Sequence, residues 1–563
     1  MFCCSAWFLH LLLWWLLGGG LGFGMEADGS LQDFIVEEEL PPPQQQQHRP
    51  QDPPSETAHL FQFSERQFAQ LSTKDPHYLQ AVVDECHSDR GMMLLTDFSG
   101  MAAPEMASQF FLANVKPYLA SPPKLVCWRA SDFALAAHKV LLAQHWCHGP
   151  RHVFGNILKR VPRSTLPTVL QMQDRVQPAI DSCMQQSGMT KKYAVKYVGD
   201  QWMASLRGIL QEAPWDVNMR RPCYRCQRRC LVHAPGEEGM SRLAIAGTVC
   251  KSFSAIGKGL RHASQHATSM LVWAVELTVY LPEIAIHECV ASFDPVWLLA
   301  AIGGLYFVES FVFSSQDLGE PYKRRRRWTI ALKKSCRAFK IPMKQFFPTV
   351  FFGELLACAD IYFFADEDTL ALFKAQMAEA KHLVSHASID FRSLMKETFQ
   401  GRLNGYEKLC RRLLLPCNRF VVNLLQTAKF ARLLMSDDKV CMPTLLCNTS
   451  YPYSMHLQRP LHITERLAVH NIPTSAQTLE ALGVQPFGIH FCLENLRDRQ
   501  VQALLGNSMS LSQMHSVMLY VMATTRRQPC MPTATPPMLE DGDDDEFVLP
   551  PVAEKDINLQ LFS

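Results

Sequence analysis

The sequence predicts an α/β fold with a Rossmann-like, mostly parallel sheet. Short apolar runs that are typical of buried strands recur at Met92–Leu95, Leu125–Ala130 and Leu243–Ile245. The first strand ends in a glycine turn, and helical patterns lie between the strands. Sheets of this kind bind their ligands at the carboxyl ends of the strands. The residues that follow each strand are therefore the first candidates for a functional site.

Length and composition indicate a globular protein. The chain has 563 residues, which is enough for two or three domains and a large core. Hydrophobic residues make up 48% and charged residues 19%, as in folded proteins. The formal net charge is only +2, so any affinity for nucleic acid has to come from local basic clusters. The 19 cysteines lack framework spacing and indicate reduced thiols in a reducing compartment.

Both ends of the chain are predicted to lie outside the fold. Residues 1–24 are almost wholly apolar and form a candidate signal or organelle-targeting segment. Translation from Met25, or a misassigned start, is the alternative, and we expect no other stable membrane association. Residues 25–57 hold runs of glutamate, proline and glutamine that are too polar to pack. Residues 527–563 are predicted to be a disordered acidic tail.

The first strand leads into a nucleotide-type ligand site. A helical stripe over Leu60–His87 precedes this strand, which runs into Asp97–Gly100. Pro104 and Glu105 are favourable first-turn residues for the helix that follows. A strand, a glycine turn and a helix N-terminus in succession let the backbone approach a ligand closely.

The second strand ends at Asp132 and Phe133. An acidic residue at this position can accept hydrogen bonds from both hydroxyls of a ribose, and an aromatic residue after it can stack on adenine. The alternative is that Asp132 caps a helix over residues 134–145, and the two interpretations are compatible.

A cysteine and a glutamate follow the next two strands. Gly247 ends the third apolar run, so Cys250 is predicted to lie at the carboxyl edge of the sheet. A helix over Met270–Leu281 leads to a strand over Ile284–Val290, which carries Glu288 near its end. A lone cysteine is most often buried and inert. The Phe-Ser-x-x-Gly-Lys sequence after Cys250 favours a functional loop instead.

Two basic segments remain open to more than one interpretation. Residues 220–233 contain the pattern Cys-x2-Cys-x3-Cys-x2-His, whose ligand types suit zinc in an unusually compact spacing. The candidate ligands are Cys223, Cys226, Cys230 and His233. The other interpretation is a solvated loop whose five arginines contact phosphate. The four arginines at 324–327 indicate a solvated face or a nuclear localisation signal.

The order of these residues resembles that of the cytosine-C5 DNA methyltransferases. Residues 246–258 are similar to the family's nucleophile loop, Gly-x-Pro-Cys-x-x-Phe-Ser-x-x-Gly, with Val249 in place of proline. Glu288 matches the glutamate of the family's Glu-Asn-Val sequence, with Cys289 in place of asparagine.

The resemblance extends along most of the chain. Residues 97–103 resemble motif I, in which Ala102 and Ala103 replace two glycines. Residues 318–327 resemble motif VIII, in which Tyr322 replaces a glutamine. Three shorter stretches are similar to motifs III, IX and X: 152–157, 463–473 and 506–509. By position, the resemblance implies a catalytic domain over 58–335, a target-recognition domain over 336–460 and a return to the catalytic domain over 461–526.

The resemblance also implies a site with two parts and no metal. The implied catalytic residues are Cys250, Glu288, Arg324 and Arg326. The residues implied to bind S-adenosyl-L-methionine are Asp97, Phe98, Gly100, Asp132, Phe133, Asn156, Asn507 and Ser508.

The function implied by the resemblance is methyl transfer from S-adenosyl-L-methionine to C5 of cytosine in DNA. Such an enzyme forms a covalent bond through Cys250 and flips the base out of the duplex. Two alternatives remain, namely an RNA cytosine-C5 methyltransferase of the same fold and a descendant that binds nucleic acid or cofactor without catalysis. We expect a nuclear protein, with targeting to an organelle or the secretory route by residues 1–24 as the alternative.

Overall fold

The computed structural model describes residues 59–87, 91–121, 123–144, 149–234, 240–250, 252–253, 259–383, 389–428, 433, 435–436, 439–447, 451–484 and 495–527. The predictions for residues 1–24, for 25–57 and for the tail after residue 527 fall outside these ranges. In the ranges described, no helix combines the length and the apolar character needed to cross a membrane.

A seven-stranded sheet forms the centre of the structure. The first nine strands are β1 Met92–Asp97, β2 Leu125–Ser131, β3 His152–Phe154, β4 Arg220–Cys223, β5 Arg228–Leu231, β6 Ser241–Gly247, β7 Ile284–Val290, β8 Tyr306–Ser314 and β9 Arg325–Lys333. The order in the sheet is β3-β2-β1-β6-β7-β9-β8, and only β9 runs antiparallel to its neighbours. Strands β4 and β5 form a separate hairpin. The predicted α/β, Rossmann-like fold class is confirmed. The strand order reverses between β1 and β6, and sheets of this kind bind their ligands at the carboxyl ends of the strands at such a reversal.

Helices cover both faces of this sheet. The first eight are α1 Phe63–Lys74, α2 Pro76–His87, α3 Ala103–Val115, α4 Leu135–Ala143, α5 Leu166–Ser187, α6 Lys191–Glu212, α7 Gln265–Tyr280 and α8 Val296–Ile302. The remaining helices are α9 Met343–Val350, α10 Glu367–Glu379, α11 Phe391–Leu394, α12 Glu397–Arg412, α13 Ile463–Val469, α14 Ala476–Ala481, α15 Asp498–Asn507 and α16 Leu511–Thr524. Leu94 packs into one hydrophobic cluster with α3 and α16, and Leu95 into another with α6 and α7. Burial on both faces explains why the strands are continuously apolar.

The single helix predicted over Leu60–His87 is two helices that meet at Asp75. Proline has no N–H and is favourable at the first position of a helix, so Pro76 begins α2. The side chain of Asp75 accepts a hydrogen bond from the N–H of His77 at 2.9 Å. The strand predicted over Ile284–Val290 has the predicted bounds.

A third hydrophobic cluster lies mainly between residues 359 and 469 and includes Tyr322, Tyr406 and Tyr453. The short strands that remain are β10 Arg337–Phe339, β11 Val421–Asn423, β12 Met435–Ser436, β13 Lys439–Val440, β14 Pro452–Ser454, β15 Arg459–Pro460 and β16 Thr525–Arg527. The domain boundaries drawn from the resemblance stay predictions.

A buried cluster of four charges joins the end of β1 to the helical layer. Asp97 lies 3.0 Å from Arg129 and 2.7 Å from Arg160. Glu276 in α7 lies 3.5 Å from Arg129 and 3.0 Å from Arg160. Burial alone would raise the pKa of Asp97, but the two guanidinium groups hold it well below its usual range. Two cations and two anions therefore balance one another inside the protein.

We expect Glu276→Gln to destabilise the protein by about 3–5 kcal/mol, because it leaves two buried guanidinium groups facing a single carboxylate. Equilibrium urea unfolding would measure this loss. Glu212→Gln, at the exposed end of α6, is the matched control and should change stability by no more than about 0.5 kcal/mol. Equal effects of the two substitutions would show that the cluster does not stabilise the fold.

Candidate active site and adjoining cleft

The parallel pairing of β6 with β7 brings the predicted cysteine loop beside the predicted glutamate. Gly247, at the end of β6, is opposite Glu288 in β7. A Cβ atom on Gly247 would lie 2.7 Å from the Cε atom of Met509 and 3.6 Å from Oε2 of Glu288. A side chain here would therefore fill the space between the two strand ends. Cys250 follows three residues later with a half-buried side chain.

The antiparallel strand β9 and the residue immediately before it, Arg324, add two arginines to the same place. Arg326 is opposite Val290, two residues beyond Glu288. Side chains in a strand alternate between its faces, so Arg324 and Arg326 are buried and Arg325 between them is exposed. The Nε atom of Arg326 lies 2.8 Å from Oε1 of Glu288.

Arg324 is held by backbone carbonyls and keeps part of its hydrogen-bonding capacity. Its Nη2 donates to the carbonyl of Ser508 and lies 3.5 Å from that of Gly506. Its Nε and Nη1 atoms have no hydrogen-bond partner among the described residues, although the side chain is buried. Unpaired buried donors are costly, so these atoms are suited to a ligand that is taken up from solution.

The charges around Cys250 and Glu288 act on each other. Burial raises the pKa of the Cys250 thiol, and Arg326 opposes this by stabilising the thiolate. Burial also raises the pKa of Glu288, again opposed by Arg326 and then Arg324. Burial alone would lower the pKa of Arg326, but Glu288 and Cys250 raise it overall. Burial therefore favours the neutral forms of both Cys250 and Glu288, and the two arginines oppose it.

A cleft of about 240 Å³ adjoins this cluster at the carboxyl ends of β1, β2 and β3. It is lined by Phe98, Ser131, Asp132, Phe133, Gly155, Asn156, Ile157, Leu158, Gln173, Val249, Gln265, His266 and Ser269. Val249 immediately precedes Cys250, so one wall of the cleft is the cysteine loop itself.

The glycine turn after β1 is tied to the end of β2. The N–H of Gly100 donates to Oδ2 of Asp132 at 2.9 Å, and the N–H of Ala134 donates to Oδ1 at 2.9 Å. Gly100 has a φ of +53°, and a Cβ atom there would meet nothing within 4 Å. The turn is therefore open toward a ligand. Asp132 lies two residues before Ala134, which is the N-cap residue of α4, so Asp132 does not cap this helix directly. It does line the cleft, and its role in binding a ribose stays a prediction.

The structure brings together some of the residues implied to bind the cofactor and separates others. Phe98, Asp132, Phe133 and Asn156 line the cleft, and Phe133 is 46% exposed. The Oδ1 atom of Asn156 already accepts the N–H of Leu158 at 2.9 Å.

Four of the implied residues do not line this cleft. Gly100 is not among the lining residues, although its N–H donates to Asp132, which is. Asp97 belongs to the buried charge cluster. Ser508 is buried against Arg324, and Asn507 beside it is exposed. The implied set also omitted Gln173, Gln265, His266 and Ser269, which lie on helices facing the strand ends. The only sequence signal for the last three is that they begin the helix after the cysteine loop.

His233 does not join the three cysteines of the predicted zinc pattern. Its Nδ1 lies 3.2 Å from Nη1 of Arg129, and its Nε2 lies 3.5 Å from Glu276. Burial and the two neighbouring arginines lower the pKa of His233 and keep the ring neutral. The zinc interpretation of this segment named His233 as a candidate ligand, and the position of the ring in the buried charge cluster contradicts that assignment.

Comparison with known proteins gives only distant likenesses. No family model and no curated protein sequence matches the chain. The chain is similar in structure to a proposed DNA modification methyltransferase encoded within an Escherichia coli prophage, with a TM-score of 0.39, 10% identity, and coverage of 77% of this chain and 98% of that one. It is similar to the methyltransferase EhMeth of Entamoeba histolytica, with a TM-score of 0.37, 10% identity, and coverage of 77% and 98%. It is also similar to a mutant of DNMT2 from Spodoptera frugiperda, with a TM-score of 0.35, 12% identity, and coverage of 77% and 99%. The functional conclusion therefore depends on the residues of the site.

We expect Arg326→Gln to shift the alkylation of Cys250 to higher pH, because Arg326 is the strongest influence that lowers the pKa of this thiol. Iodoacetamide labelling across a pH series, with mass spectrometry of the peptide that contains Cys250, measures the shift. Arg325→Gln is the control, since Arg325 is exposed and points away. The same profile for all three proteins would mean that Arg326 does not act on Cys250.

Proposed function

We propose that this chain is an S-adenosylmethionine-dependent methyltransferase that modifies C5 of cytosine in DNA through a covalent bond to Cys250. The observation that supports this most strongly is the meeting of Cys250, Glu288, Arg324 and Arg326 beside a cleft that shares the cysteine loop. A nucleophile, a proton donor and cationic hydrogen-bond donors are what addition to a pyrimidine ring requires.

The cleft fits the proposed cofactor. Gly100 offers an open turn, Asp132 has carboxylate oxygens at the cleft, and the exposed ring of Phe133 can stack on adenine. When bound, S-adenosylmethionine supplies an electrophilic methyl group. Because Val249 lines the cleft and immediately precedes Cys250, a cofactor bound in the cleft would lie next to the cysteine loop.

The residues of the chain can carry out the remaining steps. The Cys250 thiol loses its proton, its sulfur bonds to C6 of cytosine, and negative charge develops on N3 and O2. Glu288 in its protonated form donates to N3, and its raised pKa favours that form. The unpaired donors of Arg324 suit O2. After C5 has taken the methyl group, its proton passes to water. The electrons of the C5–H bond re-form the C5–C6 double bond, the Cys250–C6 bond breaks and the thiolate leaves.

A basic cleft supports a nucleic-acid substrate. Arg163, Arg220, Arg221 and Arg229 line a cleft of about 550 Å³, and among the described residues that line it Asp216 is the only carboxylate. Burial lowers the pKa of Arg221, and repulsion from neighbouring arginines lowers it further. Crowded guanidinium groups with so little compensating charge favour binding of phosphates.

Two departures from the family pattern fall next to the proposed nucleophile. Val249 lines the cleft instead of stiffening the loop as proline would. Cys289 is 1% exposed, and burial raises the pKa of its thiol far above the usual value, so it is a neutral group. These changes affect the residues beside the proposed nucleophile and Glu288, and none of the four residues proposed to react is replaced.

We expect DNA that contains 5-fluorocytosine to form an adduct with the protein that survives denaturation. Fluorine at C5 cannot leave as a proton does, so the bond between Cys250 and C6 persists. The measurement is a gel shift after denaturation in the presence of S-adenosylmethionine, followed by peptide mass spectrometry. RNA with the same base is tested in parallel.

Cys250→Ala should form no adduct, whereas Cys358→Ala, at an exposed cysteine, should form it normally. An adduct in Cys250→Ala, or none in a wild-type protein that methylates DNA, would contradict the proposed nucleophile. Trapping by RNA alone would reassign the substrate to RNA.

We expect Phe133→Ala to weaken binding of S-adenosylmethionine by about 1–3 kcal/mol, the scale of stacking between a base and an aromatic ring. This corresponds to roughly 5- to 150-fold in Kd by calorimetry. Phe133→Tyr should keep most of the affinity. Phe307→Ala, at another exposed aromatic residue, should keep all of it, and an unchanged Kd for Phe133→Ala would remove Phe133 from the adenine site.

A further inference from the structure

Three cysteines and a histidine converge where the β4–β5 hairpin meets the central sheet. Cys223 ends β4, Cys226 lies in the turn and Cys230 lies in β5, while His152 begins β3 about seventy positions earlier. The ligand atoms of these four side chains all lie within 4.8 Å of one another.

The separations suit tetrahedral zinc. The Nδ1 atom of His152 lies 3.8 Å from the sulfur of Cys223 and 3.4 Å from the sulfur of Cys226. With Zn–S and Zn–N distances of about 2.3 and 2.0 Å, neighbouring ligand atoms of a tetrahedron lie about 3.5–3.8 Å apart. A small closing movement of the remaining pairs would therefore complete the site.

The surroundings also suit a zinc site with three thiolates. The N–H of Cys226 donates to the sulfur of Cys223 at 3.4 Å. The guanidinium group of Arg225 lies close enough to Cys223 and Cys226 to interact with both electrostatically. Three thiolates and one Zn²⁺ carry a net charge of about −1, which this cation would offset.

We propose that Cys223, Cys226, Cys230 and His152 bind one structural Zn²⁺ ion. The hairpin needs such support because its own hydrophobic cluster is small. That cluster consists of Phe154, Met219, Cys223, Cys230 and Val232. Small units of this size are commonly completed by a metal ion or a disulfide bond.

The metal would hold the hairpin against the strand that leads into the cleft. The N–H of Tyr224 donates to the carbonyl of Val153 at 2.8 Å. A Cβ atom on Gly155, which lines the cleft, would lie 3.3 Å from the Tyr224 ring. The same ring packs on His138 with centroids 4.2 Å apart. The zinc site is therefore a brace behind the cleft wall and not part of the reaction.

Metal analysis of the full chain, purified under reducing conditions from zinc-supplemented cells, tests the proposal. We expect about one zinc per chain, its loss in Cys226→Ser and His152→Ala, and its retention in His152→Cys, which restores four ligands. Cys358→Ser is the control and should keep its zinc. A folded wild-type protein without zinc, or full zinc content in both Cys226→Ser and His152→Ala, would overturn the proposal.

A second measurement keeps the test decisive if those variants do not fold. In the wild-type protein, alkylation of the three cysteines should be slow, and a chelator should accelerate it at all three together. Replacement with Co²⁺ should give the intense absorption of tetrahedral thiolate coordination. Alkylation unaffected by the chelator, or a disulfide among the three cysteines, would contradict a zinc site. Neither readout depends on methyl transfer, so failure here is distinct from failure of the proposed function.

Discussion

The register of three neighbouring strands determines the candidate active site. Parallel pairing sets Gly247 opposite Glu288, and antiparallel pairing sets Arg326 two positions beyond Glu288 on the other side. A shift of one residue in β9 would send Arg324 and Arg326 to the opposite face, since side chains in a strand alternate. The cysteine loop, the carboxyl group and the guanidinium groups can then no longer meet. Everything proposed about catalysis depends on this register.

Two buried charge clusters differ in a way that separates structure from function. The cluster of Asp97 and Glu276 with Arg129 and Arg160 has two anions and two cations, and each carboxylate contacts both guanidinium groups. In the part of the chain that the structure describes, the cluster at Glu288 has one carboxylate, two guanidinium groups and donors on Arg324 that have no hydrogen-bond partner. A balanced cluster stabilises a fold, whereas buried cations without partners are costly unless a ligand completes them. This contrast is the physical reason for expecting the first cluster to stabilise the fold and for proposing that the second takes part in function.

The sequence predicted the sheet well because its signals are local. Continuous apolar runs identify strands buried on both faces, and the glycine and the acidic residues after them mark the edge where ligands bind. What the sequence could not reveal depends on contacts between distant segments. Asp97 follows the motif pattern, but two arginines from elsewhere in the chain engage its carboxylate. Arg129 within an apolar strand and Glu276 within an apolar helix were the available signals of that cluster.

The choice of histidine for the proposed zinc site also depends on contacts between distant segments. Spacing alone pairs the three cysteines with His233, the nearest histidine that follows them. The structure buries His233 beside Arg129 and Glu276, in a place where a metal ion would add charge to a balanced cluster. His152 instead reaches the sulfurs because β3 lies next to the hairpin, and the Trp128 ring packs against it with centroids 4.9 Å apart. A ligand from a neighbouring strand also links the hairpin to the sheet, which a ligand within the hairpin cannot do. With His152 as the fourth ligand, the metal ion would therefore connect the hairpin to β3 and support the wall of the cleft.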